Sequence, residues 1–146
     1  MAAPIPQSTL QLLAGFRHHL RQFLQFSEEA AARFGLQPQQ HQLLLQIAGA
    51  PTGTHTTIAY AAERLGLRHN STVELSKRCE EADLLTRTHP DRTIPGSDRR
   101  TVILALTPKG RQILKALSID HARELNELGP QLLHTLAAIC QTGKPA

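Results

Sequence analysis

Side chains that can bind nucleic acid follow one another closely in the middle of the chain. Guanidinium, ammonium, amide and hydroxyl groups bind the phosphate oxygens and the base edges of duplex DNA. Glu74 is the exception, because DNA repels a carboxylate unless the carboxylate accepts a hydrogen bond from a cytosine amino group. We therefore expect Glu74 either to determine specificity or to pair with a neighbouring arginine. The candidate residues are Arg68, His69, Asn70, Ser71, Glu74, Lys77 and Arg78.

A helix from about residue 69 to residue 82 would carry these side chains. Arg68 and His69 come at its beginning, where the first backbone amides favour phosphate. Its apolar face would hold it to the domain and leave the polar face free for the major groove. Polar helix faces are usually only solvated, so this helix alone does not establish DNA binding. The residues expected on the apolar face are Thr72, Leu75, Cys79 and Ala82.

Three arginines further along strengthen the case for DNA. Arg92, Arg99 and Arg100 lie in or beside an extended polar segment, residues 90–98, and have no apolar surface to cover. They suit insertion into a narrow, electronegative minor groove. The charge distribution agrees, since residues 64–115 hold eleven lysines and arginines against six acids while the whole chain has a net charge of only +4. A basic centre of this kind is typical of a surface that neutralises phosphates.

The pattern of apolar residues predicts the elements that position these side chains. The chain has 146 residues, enough for one domain, and its apolar fraction of 40% includes few aromatics, which favours packed helices. The segments 84–88 and 101–106 are rich in β-branched residues and predict two strands of a hairpin. The expected helices are 8–34, 38–48, 58–65 with Thr56 or Thr57 as its cap, 69–82, one from Pro108, and a last one after Gly129 and Pro130.

This order of elements predicts a mainly α fold with a small β-hairpin wing. Two short helices joined by a tight turn and followed by a hairpin form a winged helix-turn-helix, here residues 38–107. We expect a single domain over residues 8–142. At about 1.5 Å per residue, the first helix would reach beyond the core of so small a domain. We therefore expect part of its apolar stripe to pack on a second subunit.

Three segments resemble the MarR-type (multiple antibiotic resistance) regulators. They are Leu65–Ser71 (LGLRHNS), Glu80–Arg87 (EEADLLTR) and Asp98–Gly110 (DRRTVILALTPKG). The last segment carries the wing signature of the family, an Asp-x-Arg that leads through a strand into Leu-Thr-x-x-Gly. The sequence departs from the family at Cys79, where Leu is common, and at Asp83, where Gly is usual. We expect both departures to affect only packing.

The resemblance implies a homodimer held by its N- and C-terminal helices, residues 8–34 and 108–142. Its two winged parts would bind a palindromic site in double-stranded DNA, so the protein would be a transcriptional regulator. We expect a repressor, since a small dimer can occlude a promoter without further contacts. Release by a small aromatic or lipophilic effector is also implied, with no lining residues readable from the sequence.

The resemblance also assigns roles within the wing. Asp98 would orient Arg100, and Arg99 or Arg100 would enter the minor groove. Ser71 and its neighbours would enter the major groove. These roles come from the family pattern and complete the set of candidate DNA-binding residues.

Other functional classes find less support. No nucleophile elbow, phosphate-binding loop, zinc-protease motif or paired-carboxylate site is present, so we expect neither an enzyme nor a cofactor. Cys79 and Cys140 lack CxxC spacing, and the eight histidines include no His-x₃-His pair, so we expect inert thiols and no metal site. The start of the chain has no export signal and no apolar run approaches about 18 residues, so we expect a cytoplasmic protein without membrane association.

One alternative from a different class stays open. The same fold can serve as a winged-helix module that binds a protein partner without specific DNA binding. The wing arginines and the basic centre argue against this reading. Affinity for duplex DNA that falls steeply with salt would distinguish the two classes.

Overall fold

The computed structural model describes residues 2–90 and 101–142, which form five helices and one two-stranded antiparallel sheet. The mainly α fold with a β-hairpin wing is therefore confirmed. The elements are α1 (Gln7–Arg33), α2 (Pro38–Ala48), α3 (Ile58–Leu65), α4 (His69–Glu81), β1 (Leu85–Thr88), β2 (Ile103–Leu106) and α5 (Pro108–Thr142).

Local signals in the sequence place the ends of the short helices. Pro38 opens α2, where its missing N–H costs nothing. Thr57 caps α3, because its hydroxyl accepts a hydrogen bond from the backbone N–H of Tyr60 at 3.1 Å. Gly66 ends α3 in the left-handed conformation, with φ of 65°. These boundaries agree with the sequence predictions.

The predicted break between a fifth and a sixth helix is wrong, because α5 continues through Gly129 and Pro130 to Thr142. Proline removes one backbone hydrogen bond and crowds the preceding turn, but its fixed φ of about −65° is itself helical. The residues on both sides of this pair favour helix, so the chain stays helical across it.

The hairpin is shorter than predicted, and β2 pairs on both of its edges. On one edge Leu85 pairs with Leu106 and Thr88 with Ile103. On the other edge, the N–H of Leu104 donates to the carbonyl of Thr56 at 2.8 Å, and the Thr56 hydroxyl donates to the carbonyl of Leu104 at 2.7 Å. The segment before α3 thereby fixes the base of the wing to the helix-turn-helix.

Two compact units divide the chain, with boundaries inside α1 and α5. Unit 2, Ala31–Leu117, contains α2, α3, α4 and the hairpin, and its core is built mainly from leucines. Apolar burial of this extent is the principal source of stability in such a small fold. The prediction of one domain over 8–142 is not tested by this division and stays a prediction. The largest fully buried apolar side chains are Leu43, Leu44, Leu75, Leu84, Leu85, Leu104, Leu117 and Cys79.

Unit 1, Met1–Ala30 and Ser118–Ala146, holds the longer parts of α1 and α5. Among its described residues only Ser27 and Ala30 are buried. The two helices meet at His121, which lies 2.8 Å from the Ser27 hydroxyl and edge-on to the rings of Phe23 and Phe26. Unit 1 therefore has almost no core of its own.

A joint between β2 and α5 fixes the C-terminal end of α4. The Thr107 hydroxyl donates to the carbonyl of Asp83 at 2.6 Å and accepts from the N–H of Gly110 at 3.0 Å. The Lys109 ammonium donates to the carbonyl of Ala82 at 3.0 Å. These bonds satisfy the carbonyls of the two residues that directly follow α4. The Leu-Thr-x-x-Gly pattern thus has a structural purpose in this chain.

Gly110 sits where no side chain fits, because a Cβ atom would lie 2.0 Å from the backbone oxygen of Leu84. We predict that Gly110→Ala lowers the free energy of unfolding by about 2 to 3 kcal/mol, since backbone must shift to admit the methyl group. Denaturant unfolding at one fixed protein concentration measures the change. Gly15→Ala in α1 is the matched control, because no atom lies within 4 Å of its added Cβ. Equal stability of the two variants would contradict the contact.

Asp83, which replaces the Gly that is usual in the family, has φ of 58°, in the left-handed region, and directly follows α4. The N–H of Asp83 donates to the carbonyl of Glu80 and the N–H of Leu84 to that of Cys79, a Schellman motif. The expectation that this substitution affects only packing is therefore wrong, since the position requires a conformation that glycine adopts at the lowest cost.

We predict that Asp83→Gly raises the free energy of unfolding by about 0.5 to 1 kcal/mol, because it removes the cost of a left-handed side-chain residue. Asp83→Ala is the control, since it removes the same carboxylate without the conformational freedom and should not stabilise. Both are measured by chemical unfolding at matched concentration. If the Gly variant were no more stable than the Ala variant, the conformational cost would be contradicted, because both substitutions remove the same carboxylate.

Candidate nucleic-acid interface

Helix α4 separates a buried face from an exposed one. Thr72, Leu75 and Cys79 are fully buried, as predicted, and Ser76 joins them. Its hydroxyl avoids an unsatisfied donor by bonding to the carbonyl of Val73 at 2.7 Å. The helix packs on α2, α3 and β1. The predicted polar residues all lie on the exposed side: Arg68, His69, Asn70, Ser71, Glu74, Lys77 and Arg78.

Arg68 occupies the N-cap position of α4 in an extended conformation. Its carbonyl accepts from the N–H of Thr72 at 3.0 Å and from the Thr72 hydroxyl at 2.9 Å. A buried threonine thus fixes the backbone at the start of the helix, while the guanidinium remains exposed. The arrangement places a cation beside the free amides of the first helical turn, where anions bind favourably.

The outermost line of α4 consists of Asn70, Glu74, Lys77 and Glu81, which lie three or four residues apart and opposite the buried face. Glu74 Oε1 lies 3.6 Å from Lys77 Nζ. The partner of Glu74 is therefore a lysine and not the arginine that the sequence analysis considered. Lysine three residues further along a helix is within reach of a glutamate, so the pair follows from spacing.

The charge of α4 itself is not basic. Between His69 and Glu81 the helix carries Lys77 and Arg78 against three glutamates, two of them in its last turn. The positive charge of the region lies before the helix, at Arg68, and after it, toward the wing and the start of α5. The net charge of α4 could be counted from the sequence, but the excess of basic residues over the longer segment 64–115 concealed it.

The C-terminal end of α4 is tied to the wing. The Glu80 carboxylate accepts a hydrogen bond from the backbone N–H of Arg87 in β1 at 3.2 Å. Together with Thr107 and Lys109 at the start of α5, this bond anchors the end of the helix that bears the glutamates. Consequently the N-terminal half of α4 presents the freer polar surface.

A groove of about 420 Å³ adjoins the start of α4. Three segments that are distant in sequence form it: the beginning of α3, the first two turns of α4 and the residues before β2. This groove could not be predicted from the sequence, because the groove depends on the pairing of the segment before α3 with β2. Its lining residues are Thr57, Ile58, Ala59, His69, Val73, Thr101 and Val102.

The remaining candidate residues belong to the wing tip. Arg92, Asp98, Arg99 and Arg100 lie outside the described residues, so their predicted roles stay predictions. The described part of the wing ends at His89 and Pro90 on one strand and resumes at Thr101 on the other. The hairpin that leads to the tip is therefore in place.

Cys79 is a packing residue of α4. Burial raises the pKa of its thiol to about 11, and the neighbouring Arg78 charge offsets this only in part. A thiol with so high a pKa is almost wholly protonated near neutral pH and is a poor nucleophile. Cys140 in α5 is exposed.

The described residues contain neither a metal-binding cluster nor a membrane-spanning helix. In ranges 2–90 and 101–142, no three His, Cys, Asp or Glu side chains lie together as a metal ion would require. Over the same residues, no helix combines the length and apolar character needed to cross a membrane.

Comparison with known proteins agrees with this architecture. The model of the MarR family matches residues 34–93. AbsC, a MarR family transcriptional regulator from Streptomyces coelicolor, shares the fold with a TM-score of 0.74 and 17% identity, over 99% of this chain and 95% of that one. No curated protein matches the sequence.

Two further structures were solved with ligands. A point mutant of Staphylococcus aureus MepR bound to an oligodeoxyribonucleotide has a TM-score of 0.63 and 17% identity, over 97% of this chain and 100% of that one. Staphylococcus aureus MarR in complex with salicylate and kanamycin has a TM-score of 0.68 and 20% identity, over 91% and 88%.

At these identities the structures establish a shared fold, and the family model supplies the sequence relationship. The resemblance predicted from the sequence is thus confirmed: the chain matches the MarR family over residues 34–93 and has the winged-helix fold of the MarR family transcriptional regulators.

Proposed function

We propose that this protein is a sequence-specific, double-stranded DNA-binding transcriptional regulator. The observation that carries the proposal is α4, whose inner face is wholly buried while its outer face exposes polar and basic side chains from Arg68 to Arg78. A helix held in this way can lie in the major groove with its N-terminal residues against the base edges. The oligodeoxyribonucleotide bound by the MepR mutant supports this proposal.

The division of charge along α4 favours a docking polarity. Arg68 and the free amides of the first turn attract phosphate, whereas Glu80 and Glu81 in the last turn repel it. The part of the helix up to Arg78 therefore enters the groove, and the last residues, Glu80 and Glu81, lie away from the backbone. Arg92, Arg99 and Arg100 at the wing would add the net positive charge that α4 lacks, with Asp98 orienting Arg100.

A homodimer is the proposed functional form. Unit 1 exposes large apolar side chains along both of its helices and buries almost nothing. Burying such side chains against a second copy would supply the core that unit 1 lacks. Two winged parts related by a two-fold axis would bind a palindromic operator. The exposed side chains include Leu10, Leu13, Leu24, Ile119, Leu125, Leu133 and Leu136.

Regulation by a small aromatic or lipophilic effector completes the proposal. The salicylate complex of Staphylococcus aureus MarR supports this chemistry. An effector that changes the separation of the two recognition helices would weaken DNA binding, and DNA would weaken effector binding by the same factor. The protein would act in the cytoplasm as a repressor, by occluding a promoter.

The competing function is a winged-helix module that binds a protein partner without specific DNA binding. The groove beside α4 and the net negative charge of α4 are the features that would suit it. The exposed Arg68 at the helix start and the wing arginines favour DNA instead. Salt dependence separates the two functions directly.

We predict that the full chain binds the duplex upstream of its own gene more tightly than a scrambled duplex of equal length. Contacts with several phosphates per subunit should reduce the affinity by at least roughly a hundredfold when salt rises from 50 to 200 mM. Fluorescence anisotropy at two salt concentrations measures both effects. Weak binding to both duplexes with little salt dependence would favour the protein-interaction module.

The position of the interface can be tested with a charge-matched pair of variants. We predict that Arg68→Ala weakens binding roughly three- to tenfold and reduces the salt slope by about 1, since one phosphate contact is lost. Arg123→Ala removes the same charge from an exposed side chain of α5 in unit 1 and should leave affinity nearly unchanged. An Arg99→Ala, Arg100→Ala double variant should lose more than Arg68→Ala. Equal losses for Arg68→Ala and Arg123→Ala would mean that only the net charge matters.

A further inference from the structure

Glu74 is an acidic side chain at the centre of a face that we propose to bind a polyanion. It lies on the outermost line of α4, between Asn70 and Lys77, and its side chain is 65% exposed. Among the described residues, its side chain anchors no other element and its recorded partner is Lys77 of the same helix. A carboxylate at this position thus has no packing role in the described part of unit 2, and its place on the proposed DNA-binding face suggests a role in recognition.

The pair between Glu74 and Lys77 does not neutralise the carboxylate permanently. The two charged atoms are 3.6 Å apart, and the Lys77 side chain is 49% exposed. Pairs of exposed side chains contribute little stability and exchange readily with solvent and other partners. Both groups are therefore free to turn toward a ligand placed against α4.

The major groove offers a carboxylate few partners. A carboxylate can only accept, and the donors on base edges are the amino groups of cytosine and adenine. The adenine amino group stands beside the N7 acceptor of the same base, which repels a carboxylate. The cytosine amino group has no such neighbour on its own base. Glu74 is thus complementary to cytosine among the four bases.

Lys77 completes the match. The guanine paired with a cytosine presents the acceptors O6 and N7, and a lysine ammonium donates to both. An acceptor and a donor held side by side on one helix line are complementary to a C·G base pair, which presents a donor on cytosine and acceptors on guanine in the major groove. We propose that Glu74 is a specificity-determining residue that selects cytosine in each half-site, with Lys77 on the guanine side.

Position along the helix separates Glu74 from the other acids. Glu81 occupies the same outward line, roughly 10 Å further toward the C-terminus at 1.5 Å per residue. Glu80 is engaged with the backbone of β1. Of the three glutamates of α4, only Glu74 lies in the part up to Arg78 that enters the groove in the proposed docking. This role rests on the proposed function, because it requires α4 to lie against DNA.

Selection from a pool of randomised duplexes by the full chain tests the assignment. The wild-type protein should enrich a motif in which each half-site contains a required cytosine. Four duplexes that differ only at that base pair are then compared by anisotropy. Wild type should prefer cytosine roughly five- to one-hundred-fold over thymine, which presents a carbonyl in place of the amino group.

The variant Glu74→Gln should lose most of this preference, because an amide can both donate and accept. Glu74→Ala should lose it too and should bind scrambled duplex a fewfold more tightly, since a repelled charge is gone. Glu81→Gln is the matched control and should select the wild-type motif. Circular dichroism and unfolding of each variant show whether α4 is intact.

The outcomes separate two failures. If wild type enriches a motif and Glu74→Gln enriches the same motif with the same preference at every position, Glu74 is not a specificity determinant. If Glu81→Gln changes the motif as much as Glu74→Gln, the position along α4 has no significance and the assignment fails. If wild type enriches no motif and binds duplexes weakly, the proposed function fails, and the role of Glu74 fails with it.

Discussion

The position of the C-terminal end of α4 depends on its joint with the start of α5. The last carbonyls of the helix accept hydrogen bonds from Ala82, Asp83 and Leu84, but the carbonyls of Ala82 and Asp83 find their donors in a segment more than twenty residues further along the chain. Thr107 and Lys109 donate to the carbonyls of Asp83 and Ala82, and Gly110 allows α5 to approach the backbone of Leu84 without a side chain between them. The end of α4 and the start of α5 are therefore held together directly.

The wing is fixed to the same framework from the other side. Thr56 pairs with Leu104 through both its backbone and its hydroxyl, while Leu106 pairs with Leu85 on the opposite edge of β2. Strand β2 thus connects the start of α3 to the strand that follows α4. A two-stranded hairpin alone is marginally stable, so these extra contacts explain how so short a wing can keep a defined position.

Local signals made the helices of unit 2 predictable. Pro38, Thr57 and Gly66 act through their own backbone geometry, so the ends of α2 and α3 could be read directly, and the exposed side of α4 followed from helical periodicity. Contacts between distant segments could not be read, which is why the groove beside α4 and the Thr56 pairing were missed. The helix break predicted at Pro130 was wrong, because the effect of a proline depends on the helix propensity of the residues around it. Asp83 was misjudged because a positive φ leaves no periodic trace in a sequence.

The missing core of unit 1 bears on the proposed function. Two long helices that bury only Ser27 and Ala30 among their described residues have too little packing of their own to fix their geometry. In the proposed dimer, unit 1 is ordered by packing against the second copy. The same contacts would then determine both subunit association and the spacing of the two recognition helices. Helix α5 runs from that shared surface to the joint at Thr107 without interruption, because Pro130 does not end it. In the proposed dimer, a ligand that alters the packing of α5 would act on α4 through the continuous helix and the two hydrogen bonds that Thr107 and Lys109 donate to the residues after α4, without contacting the DNA itself.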